Sequence, residues 1–413
     1  MSTTPEAVGP GRAPAGEAVP TQRERSAAGW WPDALRALRA RSARWAPLAP
    51  AVVYLAIRLF GVLVLALMSA ANGEALSDNL SAWDGEWYLE IAAHGYAGVD
   101  PGMVDGYGHR SPETPLAFFP GYPLLIQLFS VLPGFDEKLA AFAVSMVAGV
   151  VAAYGMVRLA RLVRGSRAVG LLLVVLFAAS PMAVTLSMAY TEALFCALSV
   201  WALVGVLERN WALAGLCCAA SGLVRPTTAA LIGVVGLAAL VAIVRRQDSW
   251  RPWLALVLAP AGMAAYVGWV ALQTGKPGGY FELQQRGWSS AFDGGLATGR
   301  FMLETLAQDK SVLETFTVWI VLAALVLMVL CVRYRLPWPV TLFAFAVLAM
   351  DLGSDGLMYS KVRLMVPAFP LLIPVAVGLA NRRATTAVCS AVLIVCFGAW
   401  FGAYSLTAWP YAI

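Results

Sequence analysis

Charged residues are scarce in this chain of 413 amino acids, where Asp, Glu, Lys and Arg together make up 13% of the sequence and 60% of the residues are apolar. Soluble domains carry about 25% charged residues, so this composition excludes an ordinary soluble protein. It predicts a polytopic membrane protein whose partners include membrane lipids and no nucleic acid.

Other common features are missing as well. No signal-peptide pattern opens the chain, and the two halves show no internal repeat of their apolar segments. The few cysteines all fall in apolar segments, so neither a disulfide framework nor a zinc site is indicated. They are Cys196, Cys217, Cys218, Cys331, Cys389 and Cys396.

Long apolar runs are abundant. The predicted membrane segments cover residues 50–71, 139–160, 168–187, 190–207, 211–223, 227–244, 253–272, 312–332, 337–351, 365–380 and 384–405. The expected fold is an all-α polytopic membrane protein with about 11 transmembrane helices, in which residues 49–413 form the membrane domain. Outer loops are expected at 72–138, 273–311 and 351–364, and the first of them is the largest.

Two of these segments, 211–223 and 337–351, are shorter than the roughly 20 residues that a helix needs to cross a bilayer. Backbone that leaves a helix at that depth must face protein or a water-filled cavity. The break at residues 221–227, SGLVRPT, is therefore expected to open into a cavity. Arg58, within the first span, is expected either to face the protein interior or to extend toward the nearer interface.

The distribution of arginine predicts the orientation. Every turn assigned to the cytoplasm carries arginine, whereas residues 72–117 hold eight acids against one arginine, Arg110. Loops poor in Lys and Arg lie outside, so the N-terminus is expected in the cytoplasm, in a bacterial plasma membrane. Residues 1–48 are predicted to be a disordered tail followed by a basic amphipathic segment on the membrane surface.

Residues 81–96, SAWDGEWYLEIAAHGY, combine acids and aromatics in a chain that is otherwise apolar. Ser81 as N-cap and Gly95 as terminator predict a helix between them. Asp84 then lies in the first turn, and Glu86 points about 200° away from the face that Asp84 and Tyr88 share. Only one carboxylate, that of Asp84, therefore lies on the helix face that Tyr88 shares. Ser81 and Asp84 also have the spacing of a capping box, in which the acid would only bind the backbone.

Aromatic residues surround this acid. Trp83 and Tyr88 flank Asp84, and FFPGYP, which contains Tyr122, follows at residues 118–123. Such rings can stack against a sugar, and they equally suit an interfacial aromatic belt.

These residues carry a resemblance. WDGEWYL at 83–89 followed by FFPGYPLL at 118–125 is similar to the first outer loop of the PIG-V-like mannosyltransferases, and YTEALF at 190–195 and the segment from Arg363 to Leu371 extend the likeness. That family has the GT-C fold and uses a polyprenyl-phosphate sugar as donor. The resemblance implies that this chain is a glycosyltransferase whose sugar is mannose, with a lipid-linked, glycan or protein acceptor.

Three basic residues could bind a donor phosphate. Arg225 lies between two apolar pieces, where a charge costs several kcal/mol unless it meets an anion. Lys361 and Arg363 begin a later span, where basic residues also commonly face lipid head groups. The family resemblance around Arg363 favours a phosphate-binding role for both Lys361 and Arg363.

Further candidates for substrate binding lie on the same predicted side. Glu192 follows Tyr190 at a helix start, where the helix dipole alone would also stabilise an acid. The family likeness favours a site for both residues. The loop that contains Gln284 and Trp288 is similar to a Gln-containing loop of related transferases, and it could equally be a mobile lid.

The expected chemistry is an inverting transfer in which Asp84 acts as general base and the basic residues compensate the departing phosphate. Asp84 and Glu86 could also form a DxE metal site, but their divergence on a helix disfavours it, so no metal or other cofactor is expected to be required. A transporter or flippase is the alternative, because broken helices and buried charge also mark substrate pathways.

Overall fold

The computed structural model describes Met1, residues 46–109 and residues 111–413. The predictions for the N-terminal tail and its basic segment, residues 2–45, and for Arg110 lie outside these described residues. In the described part the chain is nearly all helical, and a single bridge between Phe292 and Ser354 is the one strand-like pairing. The predicted all-α fold class is confirmed.

The α-helices are numbered in chain order. They are α1 (Ala49–Asn72), α2 (Leu76–Ser81), α3 (Asp84–His94), α4 (Gly121–Ser130), α5 (Glu137–Arg164), α6 (Arg167–Ala178), α7 (Glu192–Leu207), α8 (Trp211–Ser221), α9 (Thr228–Val244), α10 (Arg251–Leu258), α11 (Ala261–Thr274), α12 (Gly279–Trp288), α13 (Leu296–Ala307), α14 (Val312–Arg333), α15 (Trp338–Leu352), α16 (Lys361–Leu364), α17 (Ile373–Ala380) and α18 (Ala384–Thr407). Short 3-10 turns cover Ala46–Leu48, Thr114–Ala117, Ala183–Leu186, Met358–Ser360 and Val366–Leu372.

The predicted count of eleven spans is not confirmed. Five helices of the described residues are long and apolar enough to cross a membrane, and a sixth span results if the pair Met358–Leu364 and Val366–Ala380, bent by 59°, is counted as one. The remaining predicted segments are helical but short. The longest of them, α9, has 17 residues and is about 26 Å long, less than the hydrocarbon thickness.

The predicted break between α8 and α9 is confirmed, and the first outer loop packs directly on it. The Gly121 amide donates to the Leu223 carbonyl at 2.6 Å. A Cβ at Gly121 would lie 2.6 Å from that same oxygen, so only glycine permits this approach. The hydroxyl of Thr228 donates to the carbonyls of Ser221 and Arg225, which satisfies backbone groups that the break exposes.

Arg58 faces the protein interior, which settles the two alternatives for this residue. Its Nη1 donates to the Ala178 carbonyl at the end of α6, and its Nε donates to the Ser187 hydroxyl. A cation is favourable at a helix C-terminus, where carbonyl groups lack partners within the helix. Arg58 therefore fastens α1 to the end of α6.

The helix predicted in the polar stretch forms, but it begins later than expected. Its end is confirmed, because Gly95 closes α3 with φ of 70°. Ser81 is not the N-cap, since it lies at the end of α2 and donates its hydroxyl to the Ser77 carbonyl. The capping-box interpretation is wrong for this physical reason, and Asp84 is released from backbone capping.

The arginine-rich turns meet at one end of the bundle. Arg158, near the end of α5, pairs with Glu208, and Arg209 pairs with Asp248 at 2.6 Å, which joins the end of α5 to the turns after α7 and α9. Glu192 opens α7 and Leu207 ends it, so Glu192 lies about 24 Å away along the helix. The residues near Glu192 therefore gather at the other end.

Candidate active site

A cavity of about 270 Å³ lies beside the start of α7. Its wall comes from six parts of the chain that are far apart in sequence: the start of α3, the loop before α4, the start of α7, the break between α8 and α9, the end of α12, and the segment from the end of α15 through α16. All three loops that were predicted to be outer loops thus contribute to one cavity.

Seven of the described residues that line the cavity are charged. They are Asp84, Glu192, Asp351 and Asp355 on the acidic side and Arg225, Lys361 and Arg363 on the basic side. Opposite charges in a poorly solvated cavity interact more strongly than they do in water. The way in which they pair therefore determines which groups are available to a ligand.

Arg363 connects the two acids that flank it. Its Nη1 donates to Asp84 Oδ2 at 2.7 Å, and its Nε lies 3.9 Å from Glu192 Oε1. The guanidinium also lies over the Tyr190 ring, 5.2 Å from its centroid. Asp84 keeps 28% of its side chain exposed, so the carboxylate is held by Arg363 and is still accessible from the cavity.

Arg225 and Glu192 form a more deeply buried pair. Arg225 Nη1 lies 2.9 Å from Glu192 Oε1, with side-chain exposures of 8% and 2%. The contact between these two atoms is an ion pair without hydrogen-bond geometry. In addition, Nε and Nη1 of Arg225 and Oε2 of Glu192 have no hydrogen-bond partner. The guanidinium retains donor capacity that an anion could use.

Lys361 and Asp351 lie at another side of the cavity. The Lys361 ammonium donates to the carbonyls of Asp351 and Ser354 at 2.7 and 2.8 Å. Asp351 is buried, and neither oxygen of its carboxylate has a hydrogen-bond partner. Asp351 was not predicted from the sequence to line the cavity, although an acid directly at the end of the apolar segment 337–351 was a signal for it.

Most of the predicted site residues come together here. The cavity is lined by Asp84, Tyr88, Glu192, Arg225, Gln284, Trp288, Lys361 and Arg363. These residues lie as many as 279 positions apart in the sequence, as the bond between Arg363 and Asp84 shows.

Four predicted substrate-binding residues lie off the cavity wall. Trp83 and Glu86 are exposed at the start of α3. Tyr122 is fully buried, and its hydroxyl donates to the Ala141 carbonyl. Tyr190 supports Arg363 from beneath and donates its hydroxyl to the Ala82 carbonyl. Direct substrate contact by these four remains a prediction.

Aromatic rings form the wall on the side of α3. Phe118 stacks on Trp87 at 5.3 Å, and the edges of Tyr88 and Trp288 meet Phe118 at 5.3 and 5.5 Å. Burial raises the pKa of Tyr88 well above its usual range, and the Asp84 carboxylate raises it further. Tyr88 is therefore neutral at ordinary pH. Gln284 donates its amide to the Ala117 carbonyl at the same rim.

The placement of carboxylates bears on metal binding. Among the described residues, no three His, Cys, Asp or Glu side chains are grouped to hold a metal ion. Asp84 lines the cavity, whereas Glu86 is exposed and does not. The two acids of the DxE pattern therefore do not line the cavity together.

Comparison with known proteins gives three results. Residues 62–244 match the family model for mannosyltransferase (PIG-V). GPI alpha-1,6-mannosyltransferase 2 of Cricetulus griseus and that of Mus musculus are each 35% identical over 150 residues, which is 34% of this chain and 27% of the relative. The chain thus matches about a quarter of the length of these relatives.

The third result concerns the fold. The crystal structure of ArnT from Cupriavidus metallidurans bound to undecaprenyl phosphate superposes with a TM-score of 0.50 at 16% identity, covering 83% of this chain and 62% of that chain. The similarity to this structure shows a shared helical fold. The region that matches the family model contains Asp84, Glu192 and Arg225.

Proposed function

We propose that this protein transfers a hexose, mannose by its family likeness, from a polyprenyl-phosphate sugar to an acceptor hydroxyl. The observation that carries the proposal is the pairing of Asp84 with Arg363 in a cavity that Arg225 also lines. A base for a hydroxyl and fixed positive charge for a phosphate are what this reaction needs.

The proposed reaction is a single displacement. Asp84 accepts the proton of the acceptor hydroxyl while that oxygen bonds to the anomeric carbon. The bond from this carbon to the phosphate oxygen breaks, its electron pair leaves with the polyprenyl phosphate, and the anomeric centre is inverted. Arg225 compensates the departing charge with its unpartnered N–H groups, and Arg363 and Lys361 add to the positive field.

A lipid-linked donor is supported by two observations. ArnT, which shares the fold, was crystallised with undecaprenyl phosphate. The cavity of this chain also lies among apolar helices, beside the end of α15. The acceptor is a hydroxyl of a lipid-linked glycan, a glycolipid or a protein.

The reaction is placed on the extracytoplasmic side of a bacterial plasma membrane, with the N-terminus in the cytoplasm. Support comes from the arginine-rich turns, which meet at the end of the bundle away from Glu192. Positive turns face the cytoplasm. No divalent cation takes part in the proposed mechanism, because the arginines stabilise the leaving group.

The test is a transfer assay with the purified full-length chain in liposomes. Labelled polyprenyl-phosphate mannose is supplied with a panel of hydroxyl acceptors, with and without EDTA. The proposal expects labelled product that retains its rate in EDTA and carries the inverted anomeric configuration. Movement of the labelled lipid between leaflets without any transfer would contradict the proposal and favour a flippase, and loss of transfer in EDTA would overturn the metal-free mechanism.

A further inference from the structure

Asp351 is a buried carboxylate that no part of the proposed mechanism uses. Its side chain lines the cavity, the residue is 7% exposed, and both carboxylate oxygens lack a hydrogen-bond partner. Buried polar groups almost always have partners, and a buried charge without one is costly. A group held at such a cost in a cavity is a candidate for binding a ligand.

The backbone around Asp351 is fixed without help from its carboxylate. Lys361 donates to the carbonyls of Asp351 and Ser354, and the Thr298 hydroxyl donates to the Leu352 carbonyl at 2.8 Å. The Gly353 carbonyl accepts the amide of Asp293. These bonds fix the backbone at the end of α15, and they leave both buried carboxylate oxygens of Asp351 without a hydrogen-bond partner.

The chemistry of the surroundings limits what the ligand can be. Asp351 has no ion-pair partner in the described part of the chain, because the Lys361 ammonium is directed to carbonyl oxygens. An unpartnered carboxyl group accepts hydrogen bonds, so the expected partner is a neutral group that donates them. The same cavity offers aromatic rings in Phe118 and Trp288, which suit the apolar face of a sugar.

We infer that Asp351 binds hydroxyl groups of the donor's sugar, an assignment that rests on the proposed function. The charged neighbours of Asp351 are Lys361, Arg225 and Arg363, which are the cations assigned to the phosphate. In the donor the sugar is joined directly to that phosphate. A carboxylate beside these cations is therefore within reach of the donor's sugar. Its contacts would distinguish a polyprenyl phosphate that carries a sugar from one that does not.

The test compares two probes, polyprenyl-phosphate mannose and sugar-free polyprenyl phosphate, bound to the full chain in lipid nanodiscs. Asp351→Asn and Asp351→Ala are expected to weaken binding of the mannose lipid by about tenfold or more, because a charge-assisted hydrogen bond is lost. Binding of the sugar-free lipid is expected to stay constant or tighten, since a repulsive charge is removed.

Asp355→Asn is the matched control. Asp355 carries the same charge in the same cavity, but its Oδ1 already accepts the Ala291 amide. This variant is expected to keep the wild-type ratio between the two lipids. The thermal midpoint of Asp351→Asn is expected to equal or exceed that of the wild type, because the substitution removes a buried charge without a partner.

Unchanged lipid preference in both Asp351 variants would overturn the inference, and so would equal weakening for both lipids or a lowered thermal midpoint in Asp351→Asn. If the wild type transfers mannose in these cases, the proposed function stands and only the sugar subsite fails. If the wild type binds neither lipid, the proposed function and this inference fail together.

Discussion

At the scale of single residues, Glu192 organises the cationic part of the cavity. Its Oε1 lies 2.9 Å from Arg225 and 3.9 Å from Arg363, and its side chain is 2% exposed. Removing one partner of such a buried pair leaves an uncompensated charge, which is far more costly than losing a surface pair. Glu192 is thus a positioning residue that fixes both guanidinium groups.

This geometry predicts strong energetic coupling between Arg225 and Glu192. Arg225→Met and Glu192→Gln are each expected to lower the free energy of unfolding by about 3 kcal/mol or more. The double variant is expected to lose clearly less than the sum, because no lone charge remains. The measurement is chemical unfolding of all four proteins in detergent.

Arg158 and Glu208 provide the matched control for this cycle. They form an ion pair at the other end of the bundle, with side-chain exposures of 50% and 25%. The cycle Arg158→Met with Glu208→Gln is expected to give a coupling of about 0–1 kcal/mol. Equal coupling in both cycles would contradict the assignment of a buried pair at the cavity.

The sequence predicted some of these residues better than others, for physical reasons. Arg225 was predictable because a charge between two apolar pieces is costly wherever the chain folds. The partners of Arg225 and Arg363 were not, because pairing depends on packing between distant helices; Arg363 and Asp84 are 279 positions apart. Asp351 ends an apolar segment, and acids there are ordinarily solvated loop residues.

At the scale of elements, the start of α3 has an unusual backbone. Trp83 has φ of 61° and ψ of −117°, and the Gly85 amide donates to the Ala82 carbonyl. This is the first central position of a type II′ turn, where glycine is strongly preferred. A bulky residue with positive φ is strained, and the strain lies directly before Asp84.

Two substitutions separate this strain from the contribution of the ring. Trp83→Gly and Trp83→Ala both remove the indole, but only alanine retains a Cβ that disfavours positive φ. Trp83→Gly is expected to be more stable than Trp83→Ala by about 1 kcal/mol, measured by unfolding in detergent. An exposed helical position such as Glu90 should show the reverse order, since glycine is less favourable than alanine there. Alanine as the more stable variant at position 83 would contradict the strain.

The elements themselves were partly predictable. Apolar run length and Gly95 predicted the helices and the end of α3, because these depend on local chemistry. The start of α3 was mispredicted because Ser81 already belongs to α2, a short helix that apolar periodicity does not reveal. The predicted number of spans is not confirmed, because run length in the sequence does not show where a helix ends.

At the scale of the whole molecule, composition predicted the all-helical membrane fold, and arginine placement predicted which turns meet. The cavity, in contrast, is assembled from all three predicted outer loops together with the start of α7 and the break between α8 and α9. Its location at one end of the bundle was predictable, since the candidate residues shared one side. Its lining was not, because four of the predicted aromatic and acidic residues lie elsewhere.

The proposed orientation, with the N-terminus in the cytoplasm, predicts which loops a reagent can reach from outside the cell. Two exposed positions are suited to this test: Asp309 lies in the loop after α13, and Arg382 lies in the turn before α18. Each is replaced by cysteine. In intact bacterial cells, a membrane-impermeant maleimide is expected to label Asp309→Cys but not Arg382→Cys until the cells are permeabilised. The unmodified chain sets the background from its own cysteines. The reverse pattern would contradict an extracytoplasmic cavity.

The rate of mannose transfer by Asp84→Asn is the most direct test of the proposal that Asp84 is the general base. This nearly isosteric change removes the base, and the rate is expected to fall by about 100-fold or more. Glu90→Gln, on the same helix but off the cavity wall, is the matched control and is expected to remain close to the wild type. The predicted result is loss of transfer by a protein that still folds, with a thermal midpoint that is lowered because Arg363 loses its ion pair with Asp84. Transfer by Asp84→Asn at the wild-type rate would contradict the role of Asp84 as general base.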